Sequence, residues 1–235
     1  MEIEVYIMAR NEAKMIPYLV RHYSQFAKLI FLEGNSSDNT IDLAISFGAT
    51  VYHYDMPDEL DDQKHIEIKN TCWKDSKADW VMIIDADEFI YHPDLIKILS
   101  ETKATIIQPS FHNMFSDKFP STPGQIYDEV KMGTEDGGIW HSKPIIFKPG
   151  EIKEINLHPG SHYASPVGNV NLVYDTGIKI LHMRFLGREY VYEHYYLNSY
   201  RNSEANRSKG YGVQYDWGPE EIDKIFNNAK LIQVI

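Results

Sequence analysis

The sequence predicts one α/β domain built on a doubly wound, mostly parallel β-sheet with an irregular C-terminal portion. The chain has 235 residues, which fits a single domain or a domain with a C-terminal extension. Its hydrophobic fraction of 43% is ordinary for a protein with a real core. Through the first hundred residues, short apolar runs alternate with segments of helical periodicity. This alternation is typical of a parallel sheet with right-handed crossovers.

The first half of the chain is predicted to contain five strands and four helices. The strands are short runs of β-branched or otherwise apolar residues, and the run before Asp85 is the most continuous, as in a strand covered on both faces. The helices show apolar residues on one face, and Gly48 stands where a helix C-terminal glycine is expected. The predicted strands are residues 3–8, 29–32, 50–54, 80–84 and 105–108. The predicted helices are residues 11–26, 40–47, 61–75 and 93–99.

The pattern loosens after Phe111. Residues 114–138 contain several glycines and prolines, so a long loop is predicted there, and long loops inside compact domains are often functional. Short strands are predicted at 145–147, 170–174 and 178–183, followed by helices at 188–202 and 219–228. The aromatic helix carries several tyrosines, for which packing is favoured over a sugar-binding shelf.

Composition limits the classes of function. Acidic residues number 34 and basic residues 23, giving a net charge of −11 that disfavours general binding to nucleic acid or anionic membranes. A single cysteine, Cys72, excludes an intramolecular disulfide. No apolar run approaches the roughly 18 residues of a membrane span, and the first residues lack a basic and apolar leader pattern. We therefore expect no signal peptide, no membrane span and a cytoplasmic location.

The segment with the clearest chemistry follows the fourth predicted strand. Four apolar residues lead into Asp85-Ala86-Asp87-Glu88. In extended chain, residues two apart point the same way, about 7 Å from each other, so Asp85 and Asp87 can share a cation. Carboxylate oxygens are ligands that Mn²⁺ and Mg²⁺ prefer. The alternative is that the acids are solvated at the strand end or cap the next helix. In doubly wound sheets, ligands bind outside the carboxyl ends of the strands, where these acids lie.

Four motifs taken together resemble the family 2 glycosyltransferases. They are Ala9-Arg10-Asn11-Glu12, the segment FLEGNSSDNT at 31–40, Lys69-Asn70, and DWVMIIDADEF at 79–89. The chain is most similar to the branch with an Asp-x-Asp-Glu-Phe signature, over roughly residues 3–100. The resemblance implies a GT-A fold in a single domain, with a nucleotide-sugar-binding half at 1–110 and an acceptor half with C-terminal helices at 111–235. It also implies an enzyme that moves a sugar from a nucleotide-sugar donor, a UDP-sugar foremost, to a glycan or other hydroxyl acceptor, with inversion and with Mn²⁺ or Mg²⁺.

The resemblance also implies roles for individual residues of the donor half. Asp87 becomes the principal metal ligand, and Asp85 faces the ribose or a phosphate-bound water. One departure is clear, since these enzymes usually carry Asp where this chain has Glu33, and this bears on nucleoside choice. The other implied nucleotide-side residues are Ala9, Arg10 and Glu12 at the end of the first strand, Glu33 and Asn35 against uracil or ribose, Asp38 shaping that loop, and Lys69 from the following helix. Asn35 and Asp38 also fit an ordinary turn and N-cap.

The second half offers candidates for a further metal ligand. Fold relatives commonly supply a late histidine, and His182 follows a short apolar strand with Arg184 two residues on, where it can meet the diphosphate. His158 and His162 bracket a His-Pro-Gly-Ser-His turn and remain alternatives, as does a structural role for each histidine.

An inverting transfer needs a general base for the acceptor hydroxyl. In the wider family this is a carboxylate of a Glu-Asp pair after the donor site, and the pair here is Glu135-Asp136. Asp136 is the first choice and Glu135 the second, against the alternative of a solvent-facing acidic loop. Trp140 and His141, which follow, are candidates for an acceptor platform.

Two other classes of function compete with a glycosyltransferase. A sugar nucleotidyltransferase needs a glycine-rich basic loop after the first strand to hold a triphosphate, and residues 8–12 contain no glycine. A non-catalytic carbohydrate- or nucleotide-binding protein predicts loss of the metal carboxylates, yet Asp85, Asp87 and Glu88 are present. A nucleic-acid acceptor would need a local basic groove drawn from Lys143, Lys148, Arg184, Arg188, Arg201 and Arg207.

Overall fold

The computed structural model describes residues 1–54, 58–135, 142–174 and 176–235. Strands and helices are numbered in chain order. The strands are β1 (Ile3–Ala9), β2 (Lys28–Glu33), β3 (Thr50–His53), β4 (Trp80–Asp85), β5 (Glu88–Tyr91), β6 (Ile106–Ile107), β7 (Ser110–Ser116), β8 (Met132–Glu135), β9 (Ile146–Phe147), β10 (Ile152–Glu154), β11 (Val167–Gly168), β12 (Leu172–Val173), β13 (Lys179–Leu186) and β14 (Ile232–Gln233). The helices are α1 (Ile16–Tyr23), α2 (Thr40–Ser46), α3 (Asp62–Thr71), α4 (Leu95–Glu101), α5 (Ile126–Glu129), α6 (Arg188–Arg201), α7 (Glu204–Ser208) and α8 (Pro219–Asn228).

The larger sheet has seven strands in the order β12-β6-β9-β4-β1-β2-β3. Its β4-β1-β2-β3 part is parallel, while the short β9 is antiparallel to both of its neighbours. Every residue of β1 is buried, as expected for a central strand covered on both faces. The fold is therefore a mixed α/β structure with a large, mostly parallel sheet, as the sequence predicts at that level.

A second sheet of five strands has the order β14-β8-β7-β13-β5. Strand β5 begins immediately after the Ala86-Asp87 turn and runs antiparallel to β13. Strand β13 in turn runs parallel to β7. Because β4 and β5 are separated only by that turn, the acidic segment lies where the two sheets meet.

Two hydrophobic cores support this arrangement. The main core lies between the large sheet and its helices and includes Trp73, Trp80 and Phe31, each at most 2% exposed. A smaller core joins the second sheet to α6 and α8 and is made of Phe115, Phe185, Val191, Tyr195 and Ile222. The two cores fix the C-terminal helices against the second sheet.

The predicted first-half elements are present and differ mainly at their ends, but strands β5 and β7 were not predicted and one helix begins later than predicted. The helix predicted from residue 11 begins only at Ile16, with Pro17 in its first turn. Proline fits a first turn because the missing N–H there has no helical partner. The preceding residues form turns in which Glu12 C=O accepts from the Met15 and Ile16 N–H groups. This leaves residues 10–13 as a loop at the sheet edge.

The prediction of a long loop at 114–138 is wrong. The end of β7, helix α5 and strand β8 lie within its described part, residues 114–135. Gly133, which favoured the loop, lies in β8. Glycine is needed there because a Cβ would come 2.7 Å from the Asn113 carbonyl oxygen of the neighbouring strand. The glycine therefore permits close strand packing rather than marking a turn.

The tyrosines of α6 are split between two roles. Tyr195 is buried in the small core, as the packing interpretation predicts, whereas Tyr192, Tyr196 and Tyr200 are 40%, 50% and 75% exposed. Across the described residues, no helix is both long and apolar enough to cross a bilayer.

Candidate functional site

A cavity of about 330 Å³ opens at the carboxyl ends of β1 and β4. Both halves of the chain contribute to its walls. The N-terminal half supplies Met8, Ala9, Arg10, Glu12, Tyr54, Leu60, Asp62, His65, Ile66, Lys69, Asp85, Ala86 and Asp87. The C-terminal half supplies Phe111, Lys143, Gly160, Ser161, His162, His182, Arg184, His194, Asn198, Arg201, Gly212, Gln214 and Tyr215. In open, mostly parallel α/β sheets, ligands bind at this edge, so the cavity is the candidate site.

Asp87 and His182 meet at the junction of the two sheets. In the antiparallel β5-β13 pair, His182 lies opposite Glu88, and the Met183 N–H donates to the Asp87 carbonyl over 2.7 Å. This register places His182 Nε2 3.0 Å from Asp87 Oδ2. The two side chains are only 12% and 16% exposed, so the pair is largely withdrawn from solvent.

The second ring nitrogen of His182 is held by the next strand. His182 and Asn113 are partners in the parallel β13-β7 pair, and Nδ1 lies 2.6 Å from Asn113 Oδ1. With Asn113 Oδ1 as the acceptor, Nδ1 carries a proton, and Nε2 faces Asp87. An imidazole nitrogen facing a carboxylate is satisfied by a proton on the ring or by a cation bound to both.

The charge balance around Asp87 favours the ionised carboxylate. Burial acts to raise the pKa of Asp87, but His182 and then Arg184 outweigh it and hold that pKa below its usual range. Asp87 is therefore an anion at neutral pH.

Asp85 occupies a different environment from Asp87. Its Oδ1 accepts from Lys69 Nζ at 2.6 Å and its Oδ2 from Lys143 Nζ at 2.8 Å. Lys143 Nζ also lies 2.5 Å from Glu88 Oε1, and both lysine side chains are only 8% exposed. Burial opposes ionisation of Asp85, yet Lys143 and then Lys69 hold its pKa well below its usual range.

The pairing of Asp85 with Lys69 and Lys143, which we call the clamp, bears on the prediction that Asp85 and Asp87 share a cation. Ala86 and Asp87 form a turn rather than extended chain, and the two carboxylates face different partners. Both oxygens of Asp85 are engaged by ammonium groups, so Asp87 and His182 form the better cation-binding pair. Lys143 entered the sequence analysis only as a groove residue, and the structure makes it a central part of the site.

Arg184 projects into the cavity from the same strand as His182. Its Nε donates to Tyr195 Oη over 3.0 Å, and its guanidinium lies over the rings of Tyr195 and Tyr215, 5.0 and 5.8 Å from their centroids. Its Nη2 is buried, and in the described part of the chain it has no hydrogen-bond partner. A buried guanidinium N–H without a partner is costly, so the geometry fits an anionic ligand at this point.

The loops after β1 and β2 are locked together. Asn11, at φ 57°, donates its N–H to Ser36 Oγ and accepts from the Ser37 N–H. Asp38 accepts from the Ala13 N–H and from Thr40. Glu12 donates its N–H to Thr40 Oγ1 at 2.7 Å, and burial followed by the charge of Asp87 raises the pKa of its carboxyl well above the usual value.

The residues predicted to contact the base from β2 do not line the cavity. Glu33 is 1% exposed and accepts from the Ser36 N–H and from His53 Nδ1, the latter at 2.8 Å. Asn35 is exposed, and Asp38 accepts from the Ala13 and Thr40 N–H groups. Glu33 therefore stabilises its own turn in this structure.

A pair of arginines forms the far wall. Arg10 Nη2 lies 3.2 Å from Asp58 Oδ1, and Arg201 Nε donates to the Asp58 carbonyl over 3.0 Å. Burial, followed by the neighbouring charge of Arg10, lowers the pKa of Arg201 to about 10. Arg201 was considered only as a groove residue in the sequence, because nothing local indicates that α6 returns to the first sheet.

The structure brings eight of the predicted site residues to one cavity: Ala9, Arg10, Glu12, Lys69, Asp85, Asp87, His182 and Arg184. His158 is exposed, with Nε2 3.1 Å from Ser165 Oγ, and Glu135 is exposed at the end of β8. Neither lines the cavity. Asp136, Trp140 and His141 lie outside the described residues, so the prediction that places the base at Asp136 stays a prediction.

The basic groove considered for a nucleic-acid acceptor does not form as a unit. Lys143, Arg184 and Arg201 line the cavity. Lys148 lies over the Trp80 ring, Arg188 pairs with Asp223, and Arg207 pairs with Asp216.

Comparison with known proteins gives partial matches. No protein-family model matches the chain. A TPR repeat-containing protein of Synechococcus elongatus is 26% identical over 109 residues, which is 46% of this chain and 25% of that protein. The chain thus spans about a quarter of the length of this curated relative.

Among solved structures, glucosyl-3-phosphoglycerate synthase from Mycobacterium tuberculosis in complex with Mn²⁺, UDP and glucosyl-3-phosphoglycerate is similar at 22% identity and a TM-score of 0.36. That match covers 47% of this chain and 44% of the synthase. A structure described as a mycobacterial protein matches at 19% identity and a TM-score of 0.36, covering 48% of this chain and 41% of its own. The chain spans less than half the length of each.

Proposed function

We propose that this protein is a metal-dependent glycosyltransferase that moves a sugar from a nucleotide-sugar donor to a hydroxyl acceptor. The observation that carries the proposal is the Asp87–His182 pair, with 3.0 Å between its facing atoms, in a cavity that also holds Arg184, Lys69 and Lys143. An anionic ligand atom beside several cations is what a diphosphate and its metal ion require. Residues 1–110 form the donor side in this proposal, and residues 111–235 the acceptor side.

The donor set fits Mn²⁺ or Mg²⁺. Asp87 supplies a carboxylate oxygen and His182 an imidazole nitrogen, and Asn113 orients the ring in the way that second-layer partners of metal-bound histidines do. The described residues contain no group of three metal-binding side chains. Two protein ligands leave further positions for water and phosphate oxygens, an arrangement common for these ions at nucleotide sites. When bound, the ion would supply charge neutralisation for the leaving nucleoside diphosphate.

The chain's own cations would act on the same phosphates. The buried Nη2 of Arg184 is available for a phosphate oxygen, because it has no other partner among the described residues. Lys69 and Lys143 line the same cavity but are paired with Asp85 and Glu88, so Arg184 is the cation that would act most directly on a phosphate. Ala9, Arg10 and Glu12 would form the nucleoside end with Tyr54 and Arg201, all of which line the cavity. A uridine nucleotide is the first expectation, by resemblance.

Transfer with inversion needs a base that removes the acceptor proton as the acceptor oxygen bonds to C1 of the sugar and the C1–phosphate bond breaks. Asp136 remains the first candidate and Glu135 the second. In this proposal the acceptor is a glycan or another hydroxyl compound. The proposal assigns no direct ligand contact to the predicted residues that do not line the cavity, namely Glu33, Asn35, Asp38 and His158.

The test is a donor screen with the full chain. UDP-, GDP-, CMP- and dTDP-sugars are incubated with and without Mn²⁺, and nucleotide release by slow hydrolysis is measured. We expect metal-dependent release from one donor. Asp87→Asn and His182→Gln should each reduce that release on the order of 100-fold, because each removes one of two metal ligands.

Asp223→Asn is the matched control, since Asp223 is an exposed carboxylate that pairs with Arg188 and does not line the cavity. It should release nucleotide at the rate of the unmodified chain. The proposal is refuted if no donor releases its nucleotide and no nucleotide plus Mn²⁺ stabilises the protein against heat. Nucleotide and metal binding without any release would instead favour a non-catalytic binding protein on the same fold.

A further inference from the structure

A second cavity of about 250 Å³ lies beside the first. Gln108 and Tyr174 directly follow β6 and β12, and Pro144 shortly precedes the antiparallel β9, so all three come to the carboxyl edge of the large sheet. The rest of the lining includes His162, Tyr163, Ala164 and Pro166. The cavity is therefore at the same edge as the candidate donor site, two strands further along.

His162 joins the two cavities, since it lines both. Phe111 stands between it and the Asp87 pair. The Phe111 ring centroid is 6.1 Å from that of His162 and 5.0 Å from that of His182. A group held against His162 in the second cavity is thus separated from His182 by the rings of His162 and Phe111. The two cavities are therefore neighbours that share the His162 side chain as a wall.

The walls of the second cavity select for a neutral ligand. Tyr163 and Tyr174 are 54% and 43% exposed, so their rings are accessible to a ligand. Pro144 and Leu172 add apolar surface, and Gln108, at 8% exposure, brings an amide to the wall. Among the described residues that line this cavity, none is acidic, lysine or arginine. This contrasts with the charged first cavity.

We propose that the second cavity is an acceptor subsite that binds one neutral sugar ring. A pyranose has an apolar C–H face, which stacks on tyrosine, and a rim of hydroxyl groups, which pair with amide, imidazole and phenol groups. The mixture of tyrosine, glutamine and histidine matches both features, while a phosphate or carboxylate would meet no lysine or arginine among the described lining residues. The inference rests on the proposed glycosyltransferase function and adds that the acceptor is an uncharged glycan.

The test measures binding of neutral methyl glycosides to the full chain by saturation-transfer difference NMR. The panel contains the methyl α- and β-glycosides of glucose, galactose, mannose and N-acetylglucosamine. We expect at least one of them to bind. Tyr174→Ala and Tyr163→Ala should each weaken its binding roughly fivefold to tenfold, because each removes one stacking face. Tyr196→Ala is the matched control, because Tyr196 is a similarly exposed tyrosine on α6. This variant should bind the glycoside with unchanged affinity. Thermal melting confirms that each variant is folded.

The outcomes separate this inference from the proposed function. Unchanged binding in both Tyr163→Ala and Tyr174→Ala would overturn the subsite, as would binding of sugar phosphates or alkyl alcohols in place of every neutral glycoside. Metal-dependent donor hydrolysis by the unmodified chain, measured in parallel, reports on the proposed function alone. Hydrolysis without glycoside binding leaves the transferase standing and removes the subsite. Glycoside binding lost in the two variants, without hydrolysis, leaves a sugar-binding site and removes the transferase.

Discussion

Lys143→Met is expected to destabilise the protein strongly. Lys143 Nζ lies 2.8 Å from Asp85 Oδ2 and 2.5 Å from Glu88 Oε1, and the Glu88 side chain is only 1% exposed. Methionine fills a similar volume without the charge, so Glu88 would stay buried without its cation. Removing one partner of a buried ion pair costs about 3–5 kcal/mol. Because a whole domain is stable by only about 5–15 kcal/mol, the loss is a large fraction of the total.

The assay is urea denaturation followed by circular dichroism, supported by thermal melting. The expected fall in Tm is on the order of 10 °C for a chain of this size. Lys148→Met is the matched control, because Lys148 lies over the Trp80 ring, donates to the Thr102 carbonyl and forms no ion pair within the described part of the chain. It should cost less than about 1 kcal/mol. Adding Glu88→Gln to Lys143→Met should recover part of the loss, since the uncompensated buried charge is then removed.

The same variant should change the dependence of stability on pH. Lys143 is the leading cause that holds the Asp85 pKa well below its usual range. A carboxyl with a lowered folded-state pKa stabilises the protein above its unfolded pKa of about 3.9, and this contribution is lost as the pH falls through the folded pKa. The gap between Lys143→Met and the unmodified chain should therefore be widest near neutral pH and narrow on acidification. A cost below about 1 kcal/mol at neutral pH, or an equal cost in Lys148→Met, would refute the clamp.

Three further predictions concern other buried contacts and the cavity wall. Burial lowers the pKa of His22 to about 4, so below about pH 6.5 the unfolded chain takes up a proton that the folded chain does not. This residue should therefore lower the free energy of unfolding by about 1.4 kcal/mol for each pH unit of acidification down to about pH 4. Urea midpoints measured at several pH values should show a smaller slope in His22→Gln, and an equal slope would contradict the burial argument. Asn206→Ala removes the amide that donates to the Leu60 carbonyl over 2.9 Å, and should cost about 1–3 kcal/mol in the same assay, against no change if the bond is dispensable. In Gly34→Ala the new Cβ would lie 2.7 Å from Tyr54 Oη, so Tyr54 must shift in the cavity wall; nucleotide affinity measured by calorimetry should fall while the Tm changes little, and unchanged affinity would remove Tyr54 from the site.

The part of the fold that sequence predicts well is the part made of buried parallel strands. Strands β1, β2 and β4 are buried almost throughout, so each appears as a continuous apolar run with polar residues at its end. That pattern also located Asp85, Asp87 and the loop containing Glu12. The short strands of the second sheet have no such run. The glycines around position 133 therefore favoured a loop in the sequence. The actual reason for Gly133 is the close approach of the neighbouring strand, which the local sequence does not reveal.

The partners of Asp85 and Asp87 depend on pairing between distant segments. Lys143 reaches Asp85 because β9 runs antiparallel to β4, so the residues just before β9 come to the carboxyl edge. A lysine at that position looks solvent-exposed in sequence, since lysine is rarely buried unless it is paired. His182 was predicted from its place at a strand end, but its selection over His158 depends on the β5-β13 register, which no local pattern encodes.

The two aspartates of the Asp-Ala-Asp segment thus have separate tasks that follow from the two sheets. The large sheet, with α3 and the residues before β9, surrounds Asp85 with Lys69 and Lys143 and neutralises it within the protein. The second sheet places His182 beside Asp87, and the other ring nitrogen of His182 is already committed to Asn113. A cation entering the cavity would therefore gain most at Asp87, which faces an imidazole nitrogen, and least at Asp85, where it must displace two ammonium groups. By this reasoning Asp87→Asn should abolish Mn²⁺ binding, whereas Asp85→Asn should chiefly destabilise the fold by leaving two buried lysines without a shared anion.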